Sequence, residues 1–179
     1  KSTDAIQACK DEGITCVTLM DGCDLNFDDN YFDVIIASDC LEHIENDRKA
    51  LKEWYRVMKK NGTIIIFVPA HMFLWSTIDY LSSHKRRYTR NELKIKIEDS
   101  GFRINRLSFW NILMFFPISI YRLTESLFSS KDKNKSNQLK IPNEFLNKSL
   151  KSLLKLENYL LLNYNSPIGV SIFSICQKK

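Results

Sequence analysis

Two short apolar runs do most to limit what this chain can fold into. Phe32-Asp-Val-Ile-Ile-Ala-Ser38 and Thr63-Ile-Ile-Ile-Phe-Val68 are too short for helices and too continuous for strands with one wet face. Such runs read as strands buried on both faces, which is the habit of parallel sheets covered by helices. Between them Ala50, Leu51, Trp54, Val57 and Met58 recur at helical spacing, so a helix is expected from about Asp47 to Lys59. Lys60-Asn61-Gly62 then closes it with a turn signal.

The alternation extends both ways. Ser2 or Thr3 can cap a short helix to about Glu12, stopped by Gly13, and Ile14–Leu19 is predicted as a strand. Thr89 with Glu92 forms a capping box for a helix to Ser100, Gly101 closes it, and Phe102–Phe109 follows as a strand. Helices and strands in this order predict an α/β fold with a mostly parallel sheet.

The last third breaks the rhythm. Phe109–Tyr121 is nearly all apolar around Pro117, and Ser129–Gln138 is a Lys/Asn/Ser-rich stretch that reads as a mobile loop. Pro142 opens a long helix to about Tyr164, and Val170–Cys176 is a closing strand. We read one domain over 1–179: a core at 1–108, a helical cap at 109–165 and the closing strand at 166–179.

Charge and cysteines narrow the function classes. The net charge of +5 is spread along helices and a loop rather than gathered into a block, which argues against nucleic acid. The apolar 109–122 segment is too short to span a bilayer, but with Arg106 and Arg122 beside it peripheral membrane contact is open, as is a core helix over a pocket. Cys9, Cys16, Cys23, Cys40 and Cys176 form an odd set without a CxxC pair, so reduced thiols and a cytoplasmic protein are expected, with the inner membrane face an option. No signal peptide is visible, and Lys1 opens inside a pattern already under way, so an upstream piece is expected to be missing.

Chemistry gathers in two blocks. Ser38 and Asp39 stand at a strand's carboxyl end, where open α/β sheets bind ligands. A helical turn there would put Asp39, Glu42 and His43 on one face, able to hold a divalent cation, orient a hydroxyl or act as a base; capping and a surface ion pair are the alternative. Farther on, Asp79, His84, Arg86, Arg87 and Tyr88 fall within ten residues. They could bind an anionic or hydroxyl-rich substrate with His84 as base, or pack at the start of the next helix.

These blocks resemble class I S-adenosylmethionine (SAM)-dependent methyltransferases. Phe32-Asp33 through Ser38-Asp39-Cys40-Leu41-Glu42-His43-Ile44 is similar to their motif after the fourth strand. Met20-Asp21-Gly22-Cys23-Asp24-Leu25-Asn26-Phe27 resembles the loop before it, and Glu53 through Gly62 with Pro69-Ala70 the helix and strand after it. Leu74-Trp75-Ser76, Asp79, His84, Arg86-Arg87-Tyr88-Thr89 and Pro167, Gly169, Ser171 are similar to a bacterial and archaeal subgroup with LEH and HxRRY motifs.

The resemblance implies a Rossmann-like sheet, mostly parallel with an antiparallel C-terminal strand and a helical C-terminal insertion. The family's first two strands, with their glycine-rich loop and ribose-binding acid, have no counterpart, so this chain alone is expected to bind SAM weakly and to be inactive. It further implies that Asp21 accepts from the adenine amine, Gly22 lies beside the ring, and Ser38 is near the ribose and methionine part. Asp39, Glu42 and His43 match a metal set of ubiquinone-pathway O-methyltransferases, although no metal is expected to be essential. The acceptor would be a small molecule, lipid-linked compound or saccharide. The rival is a non-catalytic, degenerate methyltransferase-like module with membrane association open to it; a dehydrogenase fragment is opposed by the LEH and RRY blocks.

Overall fold

The computed structural model describes residues 3–128 and 143–179, so the expected Ser129–Gln138 loop and the Ser2 and Pro142 helix starts lie outside it. Its elements run α1 (Thr3–Asp11), β1 (Phe32–Ser38), α2 (Asp47–Val57), β2 (Met58–Pro69), α3 (Thr77–Leu81), α4 (Arg90–Asp99), β3 (Phe102–Trp110), α5 (Ile112–Phe128), α6 (Glu144–Leu161) and β4 (Ser171–Lys178). Single 3-10 turns at Leu41–His43 and Met72–Leu74 follow β1 and β2.

The sheet order is β1-β2-β4-β3. β1 and β2 pair in parallel, from Val34 opposite Thr63 to Ser38 opposite Phe67. β4 is antiparallel to both its neighbours, with Pro69 and Trp110 each opposite Ser171. Three strands therefore point one way and the closing strand the other, as expected. The carboxyl ends of β1, β2 and β3 share one edge, which is where the functional residues collect.

One face of this sheet is the core. α2 and α4 bring Ala50, Leu51, Trp54, Leu93 and Ile97 against Ile64, Ile66 and Val68 of β2 and Ile172 and Cys176 of β4. Asn46 starts α2 by accepting from the Lys49 amide, and Thr89 starts α4 by accepting from the Glu92 amide; of the expected capping box only this half forms, the Glu92 carboxylate pairing with Lys96 instead. The helix expected to Lys59 stops at Val57, because β2 begins at Met58 and absorbs Asn61, at φ 62°, as an irregularity in its register.

Two expectations fail here. Ile14–Leu19 is irregular coil: no strand of the described residues lies beside it, and a strand without a partner leaves its amides and carbonyls unpaired. Nor are the apolar strands buried on both faces. Val34 is 55% exposed and Ile36 66%, since α1 buries none of its residues and covers neither. β1 is an open sheet edge with an apolar outer face.

The cap is held by a few polar ties. Glu157, 3% exposed on α6, accepts from the Ile112 amide at the start of α5 at 2.9 Å, a carboxylate at a helix N-terminus. Arg106 of β3 binds the carbonyls of Leu161 and Tyr164 where α6 ends. Gly169 has room for no side chain, because a Cβ there would overlap the Trp110 carbonyl. No helix of the described residues is long and apolar enough to cross a membrane.

Candidate active site

Leaving β1, the chain turns sharply. Asp39 adopts φ 48°, a left-handed conformation Asp tolerates better than most residues, and the 3-10 turn starts only at Leu41. Leu41 is fully buried and pins the turn to the core. Asp39 thus falls outside the turn, exposed, accepting from the Ser38 hydroxyl at 3.1 Å. The single helical face expected for Asp39, Glu42 and His43 does not form.

Glu42 points inward instead. It is 0% exposed, and neither of its carboxylate oxygens makes a normal hydrogen bond to the described residues. Burial pushes its pKa up to about 7; the nearby Asp39 charge adds to this, while its own amide and the His84 and Arg87 charges oppose it.

His84 faces it, with Nε2 4.0 Å from Glu42 Oε1, too far for a direct hydrogen bond. An acceptor oxygen about 2.8 Å from each could bridge that gap. The His84 ring also meets His43 edge-on, centroids 4.7 Å apart. Ligand atoms of Glu42, His43 and His84 lie within 4.8 Å of one another, so this set, rather than the expected one with Asp39, could hold a divalent cation.

Asp79 fixes His84. Its Oδ1 is 2.9 Å from His84 Nδ1 and 2.8 Å from Arg87 Nε, and its Oδ2 accepts from Arg87 Nη2 at 3.0 Å and from the amide and hydroxyl of Ser76. Asp79 is 0% exposed. Burial alone would raise its pKa, but hydrogen bonds from Arg87, His84 and Ser76 outweigh that and lower it. The ionised carboxylate accepts from His84 Nδ1–H and so turns Nε2 toward Glu42. The α3 turn exists because Ser76 and Asp79 close a capping box.

The segment carrying His84 is stitched to the sheet edge. Lys85 N–H donates to the Glu42 carbonyl, Tyr88 N–H to Pro69, and His71 N–H to Tyr88. Arg86 and Tyr88, expected at the substrate, do other work. Tyr88 is fully buried and donates to Asp47 at 2.9 Å; Arg86 binds Asp47 and the Glu45 carbonyl. With Lys96 they hold the first turn of α2 in place. Asp79 and Arg87 likewise act on His84 rather than facing open space.

A second feature lies along β1. Asp21 accepts from the Cys23 amide at 3.0 Å, and the Trp54 indole donates to the Gly22 carbonyl at 3.0 Å. Glu53 accepts from the Leu25 amide, and Arg56 donates to the Leu25 and Phe27 carbonyls. This loop rims a groove of ≈ 510 Å³ floored by Val34, Ile36 and Ala37 and reaching Cys40, within the size range of cofactor pockets. Ser38 sits beyond its end, exposed.

A family model described as "Methyltransferase domain" matches residues 2–66, which include the groove, the β1 turn, Glu42 and His43. Over this stretch the chain is similar to the methyltransferase-domain family. The chain is 30% identical over 70 residues to ajmaline N-methyltransferase of Rauvolfia serpentina, covering 39% of the chain and 24% of that protein. It is 42% identical over 43 residues to the ubiquinone/menaquinone biosynthesis C-methyltransferase of Vibrio campbellii, covering 24% and 17%. The matches thus span about a quarter or less of those curated relatives. A SAM-dependent methyltransferase from Archaeoglobus fulgidus shares the fold with TM-score 0.58 and 22% identity, over 99% of this chain and 73% of that one.

The groove suits one end of SAM. Its apolar floor and the Asp21–Gly22 turn fit a flat adenine with an amine to donate. The five glycines of the chain form no glycine-rich turn, so the residues present do not fit the methionine end.

Proposed function

We propose that the protein transfers a methyl group from SAM to a small-molecule or lipid-linked acceptor held at the carboxyl ends of β1 and β2. Bound SAM supplies a methyl group on a positively charged sulfur, open to displacement by an electron-rich atom. Asp21 and Gly22 would hold its adenine. The observation carrying the reading is Glu42, buried with a pKa near 7 and facing a His84 that Asp79 orients. A group so poised accepts a proton at neutral pH and returns it readily. Glu42 and His84 would take the proton of a hydroxyl or amine as its lone pair is used, and Arg87 keeps Asp79 ionised throughout. The relatives, by name, methylate a nitrogen and a carbon, so the fold does not fix the acceptor atom. His43 lies beside His84 and would contact the acceptor rather than serve as the base.

The test supplies the full-length protein with methyl-labelled SAM and an extract of its own cells, and counts the label transferred. His84→Asn is expected to lower transfer by roughly 10²–10⁴-fold, the usual contribution of a positioned acid or base. Undiminished transfer would rule out the proposed base.

A further inference from the structure

The α5–α6 cap holds an apolar cavity of ≈ 510 Å³ that the mechanism leaves unused. Met114 and Ile118 of α5, Leu150 and Leu154 of α6 and Val170 before β4 line it, and Asn111 is the polar residue on an otherwise apolar wall. It opens outward past Leu113 and Leu153, 44% and 45% exposed. Apolar walls left open to water are unfavourable, and covering them with an apolar ligand is favourable. The cavity's size is that of a small-molecule pocket.

The cavity is joined to the candidate active site through one residue. Ala70 donates its N–H to the carbonyl of Val170, on the cavity wall, and its own carbonyl accepts from Arg87, which holds Asp79. Next to it His71 stacks on Phe109, centroids 5.2 Å apart, and meets Phe115 of α5 edge-on at 5.5 Å. These ring contacts between the end of β2, β3 and α5 are aromatic. A molecule with its reacting atom at Glu42 and His84 that extends along them toward α5 meets apolar surface, and a charged or sugar-like extension would lose its water there without replacement.

We propose that the cavity binds the hydrocarbon tail, an acyl or prenyl chain, of the methyl acceptor. The assignment rests on the methyl-transfer reading and names the substrate class of that site. α5 and α6 are the tail-binding elements.

The experiment titrates the full-length protein with cis-parinaric acid, a fluorescent polyene fatty acid, below its micellar concentration. A saturable rise with one probe per chain is expected. Filling the cavity by Ile118→Trp, or independently by Leu154→Phe, should weaken binding by at least about tenfold, a loss near 1.4 kcal/mol. Phe116→Ser, on the outer face where Phe116 is 58% exposed, should leave it unchanged. Circular dichroism checks that each variant is folded. Equal binding by both filled variants overturns the proposal. So does loss of binding in Phe116→Ser, which would mark adsorption on the outer face or a bilayer-facing surface. S-adenosylhomocysteine affinity, read on the same proteins, separates the two ideas: probe binding without cofactor binding removes the methyl-transfer reading and leaves the cavity a lipid site.

Discussion

Glu42→Gln is expected to stabilise the chain above neutral pH while abolishing most of its methyl transfer. The sign follows from burial. Glu42 keeps its proton up to about pH 7 when folded, against an ordinary value of 4.5, so between these values the folded chain holds a proton that the unfolded chain has lost. Stability therefore falls as pH rises through that window, and the whole penalty is present above it. A shift of this size corresponds to about 3 kcal/mol. Gln carries no charge to bury, although its amide also lacks a ready partner, so a net gain of about 2–3 kcal/mol at pH 8 is expected. For a chain of this size that raises Tm by roughly 4–10 °C. At pH 4 the two proteins should melt almost together. Thermal melts at both pH values decide it: an equal shift at both, or none at pH 8, would show that Glu42 is not held protonated.

Asp79→Ala is expected to act in the opposite direction, and strongly. Removing this carboxylate strands the Arg87 guanidinium, whose side chain is 12% exposed, and takes the cap from α3 and the partner from His84. Breaking one side of a buried ion pair costs about 3–5 kcal/mol. The double variant Asp79→Leu/Arg87→Met leaves no buried charge and should recover most of that loss in urea unfolding, without recovering activity. The pH dependence of Asp79 is also opposite to that of Glu42. Its pKa is lowered, so its contribution is present above the ordinary carboxylate range and disappears as pH falls through the folded value. A single Asp79→Ala whose urea midpoint matches the parent would sink the account of this network.

The legible part of the fold was the part with periodicity and caps. The runs at Phe32–Ser38 and Thr63–Val68, the Trp54 face of α2 and the Thr89–Glu92 cap all carry local signals, and each forms. Ile14–Leu19 carries the same kind of signal and fails, because a strand needs a neighbour and sequence pattern does not supply one. For the same reason Val34 and Ile36 read as core and stand exposed.

In the site, residue types were readable and partners were not. Glu42 and His84 sit 42 positions apart, and the sequence puts them in separate sets, one for metal and one for substrate. They meet because the Lys85 amide binds the Glu42 carbonyl and Tyr88 bridges to the end of β2, contacts without a sequence signature. Tyr88 and Arg86 looked like substrate ligands, yet Asp47 claims both, and an acid in the first turn of α2 was a signal that could have found this. His71, one residue past Pro69-Ala70 at a strand's carboxyl end, was overlooked; its place there was the available clue.

The most direct measurement is calorimetric titration of the full-length protein with S-adenosylhomocysteine, alongside its Asp21→Ala variant. The account predicts one site per chain, with affinity lowered by at least about tenfold, near 1.4 kcal/mol, when Asp21 is removed. No binding by the full-length protein would contradict it and leave the non-catalytic, methyltransferase-like module as the better description.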